Sequence, residues 1–309
     1  MSSPGPLGQP VLEVTGLTRS TFQRGTSISF SLYPGQVLGV IGPNDSGKTE
    51  ILKALAGIVR PHGGTITLRG KPVGPATRAR VGYVPASPGV YEEFTGSEYL
   101  EFFAEAFGMD VHYRPYLVRE VLRLVRLTPY ADKMVRDLNY ALRRRLSLAR
   151  AIIHNPSLVV VDDCLVRLER GEAREMVAVL SEIRAQGKAL VASSPQLSDL
   201  ASLCSHLCIL VTNRPLACGE IRALMQQVTH YRMMQVQFLS GLAEAVRLLE
   251  SYPGVFHLAV STQTHNLVRF LFNGNDDAFQ KLLDELNLNN ISVVSYAEDH
   301  SFLGRPASP

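Results

Sequence analysis

The chain has 309 residues, a formal net charge of +3 at pH 7 and 19% charged residues. That length accommodates one large domain and one small one, each with its own core, and the balanced composition points to neither a nucleic-acid binder nor a disordered chain. The start of the chain lacks the basic and apolar segments of a signal peptide. No run reaches the ~18 apolar residues of a membrane span, so a membrane is expected to be met through a partner.

Residues 1–10 are rich in Pro, Gly and Ser and are expected to be loose. Strand-type runs follow at Val11–Leu17, Ser27–Leu32, Gln36–Ile41, Thr65–Leu68 and Val81–Val84. Between the third of these and a helix expected over Thr49–Val59 lies Gly42-Pro43-Asn44-Asp45-Ser46-Gly47-Lys48-Thr49, with the spacing G-x-x-x-x-G-K-[ST]. Such a loop turns its backbone N–H groups and a helix N-terminus toward phosphate. Its lysine reaches the β/γ oxygens, and its Thr hydroxyl ligates Mg²⁺.

From Ser97 to Arg150 the apolar residues recur at helical spacing, with no strand pattern. Alternation resumes with Leu158–Asp162, Glu172–Ala185, Ala189–Ser193, Gln196–Leu203 and Leu207–Val211. The strand ending in Asp162-Asp163 supplies the acidic half of a nucleotide site. This alternation implies a parallel α/β fold with an inserted helical subdomain, roughly residues 88–150. Beyond Leu224 the pattern restarts as strand Met233–Leu239, helix Leu242–Ser251, strands Val255–Val260 and Leu267–Phe272, helix Asp277–Leu286 and strand Ile291–Tyr296. That order, βαββαβ, fits a small split-βαβ (α+β) domain. The expected division is a nucleotide-binding domain over 11–228 and an accessory domain over 229–309. The four cysteines read as buried small hydrophobes in a reducing compartment. Cys204-x3-Cys208, with His206 between, lacks a second ligand pair for a metal.

Taken together, the phosphate loop, Tyr91-Glu92-Glu93-Phe94-Thr95-Gly96, Leu146 to Pro156, Val161-Asp162 and Ala217-Cys218-Gly219 stand in an order that resembles the ATP-binding cassette (ABC) family. The closest likeness is to bacterial exporter cassettes with separate membrane subunits. The C-terminal unit, ending near Glu298 to Leu303, looks like the accessory domain of such cassettes. The resemblance implies Mg²⁺ and ATP as cofactors, a second cassette (the same chain or another) as head-to-tail partner, and a membrane permease subunit. It implies a cytoplasmic protein, peripheral on the inner face of the membrane; no nucleic-acid partner is expected, because the basic residues show no aromatic interleaving and no second cluster. Residues 42–50 would hold the nucleotide, with Thr49 and Asp162 on Mg²⁺. Phe22 would stack on adenine, although core packing explains a lone Phe equally well.

Several positions depart from the family pattern. The signature falls on Leu138-Asn139-Tyr140-Ala141-Leu142, so a Tyr ring stands where glycine lets the partner's γ-phosphate approach, and Asn139 keeps one possible donor. The water-orienting glutamate is Asp163, one methylene shorter and at best a weak base. A misplacement of about 1 Å can slow a reaction on the order of a hundredfold. The expected glutamine is Ala86, the switch histidine is Pro195 and the inter-subunit aspartate is Glu169. The expected function is therefore an ATP-binding cassette that hydrolyses poorly or not at all, with a slow ATPase and a nucleotide-free scaffold as alternatives.

Two acids in the loop region, Asp45 and Glu50, are expected to weaken binding. A carboxylate about 5 Å from a phosphate charge costs about 3 kcal/mol, on the order of a two-hundredfold in affinity. The basic run Arg143-Arg144-Arg145 with Arg150 reads as a solvated helix face. Tyr91 and Phe94 are the exposed apolar candidates on the surface where the family docks its membrane subunits.

Overall fold

The computed structural model describes residues 8–19, 26–44, 46–211, 214–221, 224, 231–260 and 266–298. The chain divides into two compact units, Met1–Ile221 and Arg222–Pro309.

In the first unit, β1 (Leu12–Thr18), β2 (Ile28–Leu32), β4 (Gly63–Leu68) and β5 (Lys71–Pro72) form an antiparallel sheet in the order β2-β1-β4-β5. The central sheet is built from β3 (Val37–Ile41), β6 (Val81–Val84), β7 (Leu158–Val161), β8 (Ala189–Ser194), β9 (His206–Val211) and β10 (Arg214–Glu220). Its order is β10-β9-β3-β8-β7-β6. The five strands from β9 to β6 are parallel, and β10 closes the β9 edge antiparallel. Every residue of β3, β7 and β8 is buried, as befits strands covered on both faces. Strand β8 separates β3 from β7, so the segments leaving these three strands meet at one end of the sheet, where open α/β sheets bind ligands.

Helix α1 spans Lys48–Leu55, stopping short of the expected Val59. Gly57 adopts φ 70°, its N–H bonds the Ala54 carbonyl, and the Ile58 N–H bonds that of Lys53. This double bond pattern is a glycine helix stop, and it overrides the apolar spacing beyond it. The inserted region holds α2 (Gly96–Ala106), α3 (Arg114–Leu124) and α4 (Tyr140–Ile152), as its periodicity predicts. Helix α5 (Arg170–Ala185) follows β7. The helix expected over Gln196–Leu203 shortens to α6 (Leu197–Leu200).

Strands β5 and β10 were not expected from the sequence. Ala217-Cys218-Gly219 lies inside β10, where Pro215 and Gly219 hide the strand pattern; an edge position tolerates both.

The second unit contains β11 (Tyr231–Phe238), α7 (Leu242–Ser251), β12 (Val255–Val260), β13 (Leu267–Asn273), α8 (Asp276–Leu288) and β14 (Val293–Glu298). All pairings are antiparallel, in the order β12-β13-β11-β14. Strands β11 and β12 are thus parallel neighbours split by β13, the split-βαβ arrangement. Met234, Val236 and Phe238 alternate on β11, and Val268, Phe270 and Phe272 on β13. They meet Leu249 of α7 and Phe279, Leu282 and Leu286 of α8 in a core of their own.

Candidate functional site

The phosphate loop leaves the buried strand β3 and enters α1 through Gly47, whose φ of 87° is a left-handed conformation. Gly42 approaches the carbonyl of Leu210 and the Ser46 hydroxyl so closely that a Cβ would collide with the Leu210 oxygen. Lys48 is buried, and its Nζ donates to the carbonyls of Gly42 (2.9 Å) and Pro43 (3.0 Å), holding the ammonium inside the loop's curve. Pro43 and Asn44 are exposed at the crest, and Thr49 is half-buried in the first turn of α1. Ser46 Oγ is buried with no hydrogen-bond partner among the described residues. Phe22 and Asp45 lie outside the described residues.

Asp162 follows β7 and is fully buried. Its Oδ1 accepts from Ser193 Oγ at 2.9 Å and its Oδ2 from the Tyr83 hydroxyl at 3.4 Å. Burial and the Asp162 charge push the Tyr83 phenol well up, so it stays a donor. Ser193 also accepts from the Asp163 N–H at 2.8 Å, so one hydroxyl on β8 fixes both acids. Asp163 sits at φ 45°, a strained conformation that Asp tolerates better than most residues. Its Oδ1 is buried and unpartnered among the described residues. Burial raises the Asp163 carboxyl above the ordinary range. The neighbouring Asp162 charge adds to the shift, while Lys48 and Arg144 oppose it.

Among the described residues no cluster of three His, Cys, Asp or Glu stands ready to hold a metal ion. Mg²⁺ needs none, since it takes one or two protein oxygens and completes its shell with phosphates and water. A hydroxyl (Thr49), a carboxylate oriented by two donors (Asp162) and two orphaned oxygens (Ser46 Oγ and Asp163 Oδ1) fit Mg²⁺ with a polyphosphate. Bound there, the ion would neutralise phosphate charge.

Glu50 does not present the charge expected of it. Its carboxylate, 65% exposed, is ion-paired with Arg19 at 2.5 Å. Asn139 caps α4, with Oδ1 accepting from the Leu142 N–H at 2.9 Å and Nδ2 reaching Glu172 at 3.4 Å. The half-buried Tyr140 points its hydroxyl back to the Ala86 carbonyl at 3.4 Å, so its ring folds onto its own chain. Ala86 and Pro195 are partly buried, and Glu169 is exposed at the N-terminus of α5.

The basic run is not a solvated face. Arg143 pairs with Glu92 at 2.5 Å, Arg145 with Glu175 at 3.0 Å, and Arg150 bonds the Tyr99 hydroxyl at 2.9 Å. Arg144 is fully buried. Its Nη1 donates to the carbonyls of Pro85 and Ala86, and its Nη2 to those of Asp162 (2.9 Å) and Asp163 (3.3 Å). Among the described residues it has no carboxylate partner. Each pairing joins residues distant in sequence, which single-sequence periodicity does not reveal. Tyr83, Ser193, Arg19 and Arg144 were all missed for that reason; the one available signal was the opposite charge of Arg19 and Glu50.

The ABC transporter family model matches residues 26–166. The chain is 35% identical over 202 residues to "Nod factor export ATP-binding protein I" of Burkholderia thailandensis, covering 64% of this chain and 66% of that protein. A protein of the same name from Rhizobium sp. is 33% identical over 240 residues, covering 77% of this chain and 78% of the relative. Among solved structures, "Structure of ATP binding subunit of ABC transporter" matches with a TM-score of 0.62 at 24% identity, over 71% of this chain and 93% of the other. A nucleotide-free ATP-binding cassette matches with a TM-score of 0.60 at 19% identity, over 71% and 95%. Both structural matches support the fold.

Two outcomes follow from this geometry. Arg144→Leu takes a donor from four carbonyls, of which Ala86 keeps the Tyr140 hydroxyl and Asp163 the Val166 N–H, and should cost about 2–5 kcal/mol in urea unfolding of the first unit. Arg144→Lys should recover only part, because an ammonium lacks the guanidinium's fork. An unchanged urea midpoint for Arg144→Leu would refute the bracing role. For Asp163, a raised carboxyl means that folding favours the neutral acid. Its contribution is favourable below the ordinary carboxylate range and is lost as pH rises through the raised pKa. Asp163→Asn should therefore melt higher than the wild type near neutral pH and show no such gain near about pH 3. Equal melting at both pH values would contradict this.

Proposed function

This chain belongs to the ABC transporter family, and we propose that it is an ATP-binding subunit that holds Mg-ATP and hydrolyses it poorly or not at all. The phosphate loop with Lys48 enclosed, and Asp162 oriented by Ser193 and Tyr83, support nucleotide binding. The observation that carries slow hydrolysis is the solitude of Asp163. Among the described residues its unpartnered Oδ1 is the candidate base, while the two family positions that handle water or γ-phosphate are Ala86 and Pro195, which carry no polar side-chain atom. A short carboxylate without these helpers positions water loosely.

A slow but genuine ATPase is the second reading. A half-buried carboxyl with one unpartnered oxygen and a raised pKa is favourable to a general base, and Asp163 is such a group.

The partners belong to the same proposal: a second cassette, the same chain or another, and a membrane permease subunit at the inner face of the membrane. Among the described residues no helix is long and apolar enough to cross a membrane. An aromatic group on α2 and the segment before it supports docking. Tyr91 stacks on Phe103 at 6.1 Å and packs near Phe94, Tyr99 and Phe102. Tyr91 (50%) and Phe102 (46%) remain half exposed, while Phe94 is mostly covered. The relatives are named for export, and we extend the direction but not the cargo to this chain.

With purified protein, Mg-ATP at about 1 mM should raise the melting temperature of the wild type but not of Lys48→Ala. Steady-state phosphate release should stay at the Lys48→Ala background. Release above about 1 s⁻¹ that disappears in Lys48→Ala would overturn the slow-hydrolysis reading. A small excess abolished by Asp163→Asn would establish the second reading instead. For the partner, Tyr91→Ser/Phe102→Ser should lose co-purification with the permease while keeping the Mg-ATP melting shift. Undiminished co-purification would remove this surface as the docking site.

A further inference from the structure

Glu50 stands in the first turn of α1, directly after Thr49. A helix N-terminus attracts negative charge, so a carboxylate there competes with phosphate for the same field. Arg19, the residue following β1, meets that carboxylate. Its Nε donates to Glu50 Oε2 at 2.8 Å, and its Nη2 approaches the same oxygen at 2.5 Å. Its Nη1 donates to the Ser46 carbonyl at 2.8 Å. The guanidinium lies so close over Gly47 that a Cβ on that residue would collide with it. The Arg19 side chain is 11% exposed against 65% for Glu50, so the cation is packed on the loop while the anion faces water.

We propose that Arg19 and Glu50 form a charge-compensating pair that sets the affinity of the phosphate loop for a nucleoside triphosphate. Arg19 cancels the Glu50 carboxylate at the mouth of the loop, and its bond to the Ser46 carbonyl holds the guanidinium in place to do so. The proposal rests on the ATP-binding reading above and deepens it. It has one distinguishing consequence: the value of Arg19 to binding depends on the presence of Glu50. An arginine that acted on the nucleotide directly, or merely on folding, would matter equally with a neutral residue at position 50.

The test is a double-mutant cycle. Mg-ATP affinity is titrated for the wild type, Arg19→Ala, Glu50→Thr and the double variant, with nucleotide-free melting temperatures reporting on folding. Arg19→Ala alone should weaken Mg-ATP by about tenfold or more, as expected of a carboxylate left unopposed near phosphate. Against the Glu50→Thr background the same change should cost less than about threefold, and the coupling should shrink as salt is raised. Equal losses in both backgrounds, or no loss in either, would overturn the pair while leaving ATP binding intact. A wild-type chain that binds no Mg-ATP would overturn both the pair and the reading beneath it.

Discussion

A buried guanidinium that meets only backbone organises the end of the first unit that carries the candidate site. Arg144 joins the segment after β6, through Pro85 and Ala86, to the segment after β7, through Asp162 and Asp163. Burying a cation is expensive unless its donors are met; here four carbonyls meet Nη1 and Nη2, while Nε is buried without a partner among the described residues. Carbonyl partners leave the positive charge unneutralised, so it opposes the burial that raises the Asp163 carboxyl. The same residue belongs to α4, whose N-terminus carries Asn139 and Tyr140. The helix is therefore fastened to both loops by Arg144 and, at 3.4 Å, by the Tyr140 hydroxyl on Ala86. Ala86 supplies no side-chain donor to this junction, and the neighbouring helix bonds its carbonyl instead.

Charge compensation is a second theme, and it revises the electrostatic argument drawn from composition. Two acids near a phosphate loop suggest a repelled ligand if each is treated as isolated. Glu50 is not isolated, since Arg19 reaches it across 31 positions of sequence. In a partly exposed site at high effective dielectric, one cation at contact distance removes most of the field that a carboxylate would project onto a neighbour. The basic run on α4 follows the same logic in reverse. Arg143 and Arg145 find Glu92 and Glu175, so three consecutive arginines make no patch.

The legible part of the structure was the part written in local spacing. The loop at 42–49, the strands that alternate or run apolar, and the period change at Ser97 each depend on residues within a few positions of one another. So does the βαββαβ order, where helix Leu242–Ser251 and strand Val255–Val260 match residue for residue. Local signals also produced the errors. Apolar spacing continues through Val59, past Gly57, whose left-handed turn ends helix α1. Pro215 and Gly219 read as loop in strand β10, although an edge strand admits both. Much of the side-chain architecture of the site depends on partners distant in sequence, 31 positions apart for Arg19 and Glu50 and 79 for Tyr83 and Asp162. Periodicity carries no information about such pairs.

The orphaned groups bear on why a weak hydrolytic site would still bind nucleotide. Ser46 Oγ and Asp163 Oδ1 are buried without partners, and Asp163 also holds a left-handed backbone. Each unmet oxygen costs about 1–3 kcal/mol in the chain alone, and a strained backbone adds a cost of similar order. Folding gains nothing from such groups; an alanine at 46 would remove one of the orphaned oxygens. The cost is recovered only when a polar occupant, water or ligand, supplies the missing bonds, and a pair of oxygens close to an enclosed lysine is matched by a hydrated polyphosphate. Hydrolysis asks for more than occupancy, because a water must be aimed as well as held, and at Ala86 and Pro195 the side chains offer nothing to aim it.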